Sequence, residues 1–255
     1  MKPASRRGFL RGSLGVLPGV LLAGCDKLGA TPWFSAMLRS GETLTRVTQR
    51  LLLGPDSLAQ EFTPADISRP FRSNGTSRPD NPAYQRSAAA GFVDWRLRVD
   101  GLVSRPLEFS LAELKSLPAR SQITRHDCVE GWSAIGKWTG VPLHEILARV
   151  QPLPQARYVV FHCADPMQPG GREPYYESID MVDAYHVQTI LAYALNDAPL
   201  PIANGAPIRV RVERQLGYKM AKYIMRIQLV DRYDDIRGGH GGYWEDRGYA
   251  WYAGI

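Results

Sequence analysis

The sequence predicts an α+β fold built on a mixed sheet and contained in a single domain. Strict alternation over Trp95-Arg96-Leu97-Arg98-Val99 gives a strand with one apolar face, closed by Gly101. Residues 157–163, 189–195, 208–212 and 223–230 supply further strand-like apolar runs, with turn signals at Asn196-Asp197 and Asn204-Gly205. The helices between them are short and scattered, which argues against a doubly wound α/β sheet.

Each helical element has its own local signal. Ser110 and Glu113 form a capping box for a helix running to Leu117. Pro142 opens a second, with Leu143, Ile146, Leu147 and Val150 on one face at helical spacing. Residues 31–86 are polar and proline-rich, with one helical run over 44–53, so they read as a segment that wraps a domain.

The first thirty residues are a targeting segment and are set apart from the fold. Ser5-Arg6-Arg7-Gly8-Phe9-Leu10-Arg11 is a twin-arginine signature, followed by an uncharged run over 12–24 that is too short for a comfortable bilayer span. Leu22-Ala23-Gly24-Cys25 reads as a lipoprotein cleavage box, which would leave Cys25 lipidated at the new N-terminus; ordinary cleavage nearby would remove it instead. The expected organisation is a signal with lipobox over 1–24, a wrapping segment over 25–90, a catalytic domain over 91–230 and a glycine- and aromatic-rich tail over 231–255. The tail is expected to pack back over the body, because its tryptophans and tyrosines would be costly to leave wet.

Composition narrows the function. With 44% hydrophobic and 22% charged residues the chain is ordinary for a globular protein, and it can bury a sizeable core. The formal charge of +6 is partly the signal's own Lys2, Arg6, Arg7 and Arg11, and no basic run interleaved with aromatics suggests nucleic acid. Without Cys25, the thiols are Cys128 and Cys163, which an exported protein could pair.

His126-Asp127-Cys128-Val129-Glu130-Gly131-Trp132 is the densest reactive cluster. A thiolate is a soft ligand for a transition metal, and the Glu130 carboxylate two residues on can manage a proton. The same cysteine alone also reads as packing. With no CxxC and no HExxH, a zinc site is not expected. A second constellation joins Asn204-Gly205-Ala206-Pro207-Ile208-Arg209 to Gly217-Tyr218-Lys219-Met220-Ala221-Lys222. Its arginine and paired lysines suit the phosphate of an anionic cofactor, or are solvated charges at strand ends.

In their order and wording these segments resemble the sulfite-oxidase-type molybdopterin oxidoreductases, over residues 71–230. The resemblance implies a molybdenum–molybdopterin cofactor, with Cys128 as the metal ligand and Tyr175 and Glu130 at the reacting face. It implies that Asn74, Asn204, Arg209, Lys219, Met220 and Lys222 hold the pterin, and that Cys163 replaces a threonine beside the cofactor. Sulfite oxidases present arginines where this chain has Ser73 and Ser133, and the Cys128-Val129-Glu130 wording is similar to the periplasmic methionine sulfoxide reductase branch. Reduction of S- or N-oxides is therefore expected, small or protein-bound, with sulfite oxidation and a non-catalytic exported binding protein as alternatives. No haem-binding CxxCH occurs, so electrons are expected from a separate protein, a membrane haem protein or a cytochrome c. A periplasmic monomer is expected, with no nucleic-acid partner.

Overall fold

The structure is a computed structural model that describes residues 31–255 apart from positions 169 and 172. The signal and the lipobox lie outside the described residues. The chain divides into two compact units, Met1–Thr48 and Gln49–Ile255. Every element of the candidate site belongs to the second.

Two sheets form that unit. The first has the order β2 (Leu107–Ser110), β1 (Arg96–Gly101), β10 (Ile224–Val230), β5 (Tyr158–Pro166), β6 (Pro174–Asp180). Only β1 and β10 run parallel in it, with Arg98 opposite Arg226 and Ile227 opposite Val99. The second has the order β3 (Arg120–Cys128), β4 (Trp132–Pro142), β7 (Ile190–Leu195), β8 (Ala198–Pro199), with β9 (Arg209–Arg211) also on β7. One apolar cluster joins the two sheets through Val99, Phe161 and Ile227 of the first and Val141, Leu191 and Val210 of the second. That shared core makes the fold a single α+β domain, as expected.

The helices are α1 (Pro32–Leu53), α2 (Pro82–Ala89), α3 (Leu111–Ser116), α4 (Leu143–Val150) and α5 (Met181–Tyr185). Ser110 caps α3 with the predicted reciprocal box: its hydroxyl accepts from the Glu113 amide at 3.1 Å, and the Glu113 carboxylate accepts from the Ser110 amide at 2.7 Å. Leu143, Ile146, Leu147 and Val150 are all buried on one face of α4. Helix α1 extends well upstream of the expected run over 44–53.

The β3–β4 hairpin and β6 carry no strand signal in the sequence. Along β3 the buried positions are Gln122, Thr124 and His126, so the inward face is polar and apolar alternation is inverted. Of these, Gln122 is satisfied inside: its amide donates to Glu213 at 2.8 Å and to the Gln188 carbonyl at 3.0 Å. The compact unit Gln49–Ile255 takes in residues 91–230 together with residues 49–90 and the tail.

Candidate active site

The hairpin turn delivers the thiol. Cys128 ends β3 opposite Trp132 at the start of β4, and Gly131 closes the turn at φ +83, donating its amide to the Cys128 carbonyl at 3.0 Å. The thiol opens on a cavity of about 200 Å³ whose walls include Asn74, Glu130, Tyr175, Met220 and Lys222. Residues far apart in sequence, from a loop, a hairpin, β6 and the turn before β10, thus meet at one place. Burial raises the Cys128 thiol above its ordinary value, while a hydrogen bond at the Glu130 backbone and the Arg72 and Arg209 charges pull it the other way. A bound metal ion would deprotonate it outright.

Glu130 is exposed at the mouth and accepts from Trp132 Nε1 at 2.9 Å. The Arg72 guanidinium lies over that same indole, 4.9 Å from the ring centroid. Ser133 turns away, its hydroxyl donating to Asp127 at 2.5 Å.

The opposite side of the cavity is cationic, and those cations lack carboxylate partners. Lys222 donates to the carbonyls of Asn74 at 2.6 Å, Ala203 at 3.0 Å and Thr76. Arg209, fully buried, donates to the carbonyls of Asn204 at 3.2 Å and Met220 at 3.1 Å, and its Nε has no partner. Among the described residues no ion pair joins either cation to a carboxylate. Burial drives Lys222 down to about 7, with Arg209 adding to the effect, and drives Arg209 down to about 9, with Arg211 adding. Two buried cations hydrogen-bonded only to carbonyls, with Asp165 acting on Lys222 and Glu213 on Arg209 through their charges alone, suit a further anion. The buried Asn204 Nδ2 is also unpartnered, as is Nε2 of His126. These orphaned donors fit an anionic, hydrogen-bond-rich cofactor. No cluster of three His, Cys, Asp or Glu side chains able to hold a metal ion occurs among the described residues.

Not every expected residue faces the cavity. Asn204 and Arg209 stand behind its wall, and Cys163 is buried in β5, its thiol raised by burial and by Asp165 and Glu177. Cys128 and Cys163 are both free thiols. The Lys219 ammonium, expected with the others to hold the pterin, is fully buried and lies 2.5 Å from both Glu177 and Glu245. Two carboxylates brought from distant elements outcompete a cavity contact, and sequence spacing could not show them.

Sequence reasoning missed several groups at the site. Asp165 and Thr76 line the cavity, as do Trp244 and Tyr249 from the tail. Asp165 was visible as a lone acid inside an apolar run; burial raises it to about 7 against the pull of Lys222. His126, named only as part of the reactive cluster, lies under the cavity floor. Its Nδ1 is 3.0 Å from Arg211 Nη1, and burial with the Arg211, Arg209 and Lys222 charges lowers it well below the ordinary histidine value, so the ring is neutral. A Cβ on Gly217, which lines the cavity, would come within 2.4 Å of that ring, so only glycine allows the approach.

A mixed-sheet domain with a single thiol over a cavity backed by unpaired buried cations defines a molybdopterin-type oxidoreductase. The chain belongs to the family described as the oxidoreductase molybdopterin binding domain, whose model matches residues 84–236. It is a molybdenum-dependent enzyme, and its cofactor is molybdenum–molybdopterin. The chain is 40% identical over 98% of its length to a protein of Azospira oryzae that carries the provisional name protein-methionine-sulfoxide reductase subunit YedZ1, covering 88% of that protein. It is 39% identical over 66% of its length to the protein-methionine-sulfoxide reductase catalytic subunit MsrP of Ralstonia nicotianae, and 43% identical over 54% to that of Xanthomonas campestris. Of those two it spans 49% and 45% of the length. Among solved structures, the sulfane dehydrogenase SoxCD of Paracoccus pantotrophus shares the fold with a TM-score of 0.51 at 22% identity, over 57% of this chain and 40% of that one.

Proposed function

We propose that this enzyme removes an oxygen atom from S- or N-oxides, methionine sulfoxide in proteins included, in the periplasm. The observation that carries the reading is the placement of the Glu130 carboxylate on the cavity wall, two residues from the Cys128 thiol and anchored by Trp132. A negative charge there repels a sulfite dianion and leaves a neutral oxide unopposed. The Tyr175, Trp244 and Tyr249 rings on the cavity wall give such a substrate apolar surfaces. The names of the Azospira and Ralstonia relatives support the same substrate class.

The cofactor supplies a molybdenum centre that changes oxidation state as an oxygen atom passes on or off the substrate. Cys128 would hold the metal, while Arg209, Lys222, Asn74, Asn204 and Met220 would hold the pterin. Tyr175, whose hydroxyl is raised well above its ordinary value by burial and by Glu177, stays protonated and can donate. The relatives named as subunits of a reductase support a separate electron donor at the membrane, and the twin-arginine signature supports export of the folded protein, with a lipid on Cys25 as tether.

Arg72 favours a second reading. Its guanidinium sits over Trp132 at the mouth and lowers the Cys128 thiol, so it can attract a sulfite anion. Turnover of methionine sulfoxide with reduced viologen, compared with turnover of sulfite with ferricyanide, separates the two. Sulfoxide turnover without sulfite turnover is expected; saturable sulfite oxidation alone, lost in Arg72→Ala, would overturn the reductive reading.

A further inference from the structure

Behind Tyr175 lies a sealed group of charges that does not balance. Glu177 of β6, Lys219 of the 3₁₀ turn Gly217–Lys219 and Glu245 of the tail's turn Glu245–Arg247 have side chains at most 1% exposed. Lys219 Nζ is 2.5 Å from one oxygen of each carboxylate, and its ring neighbours are Tyr218 and Trp251. With every group ionised the cluster would carry one uncompensated negative charge in apolar surroundings, which one shared proton removes.

The local backbone is arranged to bring the two carboxyls together. Gly242 bridges to Glu177, and a Cβ there would lie 2.0 Å from Glu245 Oε2 and 2.8 Å from Glu177 Oε1. Glu245 Oε2 is buried with no donor to accept from, as an ionised carboxylate would require, whereas a protonated carboxyl could donate to its neighbour. Glu177 Oε1 also accepts from the Ser178 amide at 2.8 Å, and the other titratable groups acting on Glu177 are the Cys163 thiol from β5 and the Tyr175 and Tyr176 phenols on its own strand. Burial and then Glu245 raise Glu177 well above the ordinary carboxylate range, while Lys219 pulls it down. Lys219 itself is raised by the two carboxylates despite its burial, so it remains an ammonium.

A route leads from this pair to the substrate. The Tyr175 hydroxyl is 3.4 Å from Glu177 Oε2, now donates to the Tyr218 carbonyl at 2.5 Å, and belongs to a residue that lines the cavity. We propose that Glu177 and Glu245 hold one proton between them and pass it through the Tyr175 hydroxyl to the cavity. The inference rests on the reductive reading, in which oxide, two protons and two electrons give the reduced product and water. The electrons come from the separate donor protein. One of the protons moves by the relay: the Glu177 O–H bond breaks as a new O–H bond forms at Tyr175, and the phenolic proton already there passes to the departing oxygen. Between turnovers the pair recovers its proton from cavity water by the reverse path.

Infrared spectra of the cofactor-loaded enzyme in H2O and D2O test the shared proton without any substrate. A deuterium-sensitive carbonyl band of a buried protonated carboxyl is expected near neutral pH. Glu177→Gln and Glu245→Gln should each abolish it, because a single remaining carboxylate is neutralised by Lys219. Tyr175→Phe should keep it, and Asp165→Asn removes the contribution of the other raised carboxyl. Glu245 lies off the cavity wall, so Glu245→Gln should lower kcat on the order of tenfold or more with KM little changed, and should shift the pH profile. Glu245→Asp should restore part of that loss. Absence of the band from the Asp165→Asn enzyme, or a folded, loaded Glu245→Gln enzyme with wild-type kcat and pH profile, would overturn the proposal. Because the band needs no substrate, failure of the sulfoxide assay would count against the reductive reading and leave the proton pair standing.

Discussion

At the residue scale, the site depends on burying cations without carboxylates to meet them. Lys222 bears the cost of that arrangement in its titration. Its folded-state value is depressed from 10.5 to about 7, so its contribution to stability is present above 10.5 and is lost as pH falls through about 7. The melting temperature of the cofactor-free protein should therefore rise between pH 7 and 10, and Lys222→Met should remove that rise. The same variant should hold the cofactor at least about tenfold more weakly, since truncating one buried charge partner costs several kcal/mol. Equilibrium dialysis of the loaded protein reads that loss. Cys128 is tested more directly: Cys128→Ala should lose its molybdenum by elemental analysis, and Cys163→Ala, which changes a thiol behind the wall, should retain it. A Cys128→Ala protein that keeps the metal would remove the basis for the site.

At the element scale, what could be read from the sequence tracked hydrophobic periodicity. Strands β1, β5, β7 and β10 and helix α4 bury apolar faces at the expected spacing, and each has a matching run in the sequence. The β3–β4 hairpin that carries Cys128 escaped that reading because the inward face of β3 is Gln122, Thr124 and His126. Arg209 and Arg211 escaped for a related reason. They look like solvated charges, yet both are fully buried, Arg211 paired to Glu213 at 2.6 Å and Arg209 hydrogen-bonded to backbone carbonyls. The polar interior is the functional interior, which is where pattern rules fail in this chain. Motif wording recovered Asn74, Cys128, Glu130, Tyr175, Met220 and Lys222 on one cavity, because those matches are local in sequence. The Lys219 partners are distant in sequence and could not be read that way. Gly217 tests the seam between hairpin and turn. Gly217→Ala forces a Cβ against the His126 ring, and should destabilise by ~1–3 kcal/mol in denaturant melts and displace the cavity floor.

At the scale of the whole molecule, the tail is part of the active site. It runs from the end of β10 back to β6, where the Tyr243 amide donates to the Tyr176 carbonyl at 3.0 Å, and it continues to Ala253, whose carbonyl accepts from the Leu216 amide at 2.9 Å. Along that course it places Trp244 and Tyr249 on the cavity wall and Glu245 against Lys219. It also buries Trp251, whose indole donates to Ser178 at 2.8 Å and stacks on Tyr233. A tail that only covered the body could be removed at the cost of its own contacts. This one would also leave Glu177 and Lys219 open to water and remove one wall of the cofactor cavity. Two variants separate these contributions. Trp251 does not line the cavity, so Trp251→Ala should lower stability by ~3–5 kcal/mol while the folded fraction keeps its molybdenum. Removal of residues 231–255 should both lower the melting temperature and release the cofactor, read as loss of molybdenum from protein that still shows β-sheet circular dichroism. A truncated protein that retains a full complement of metal would show that the tail is a cover and not a wall.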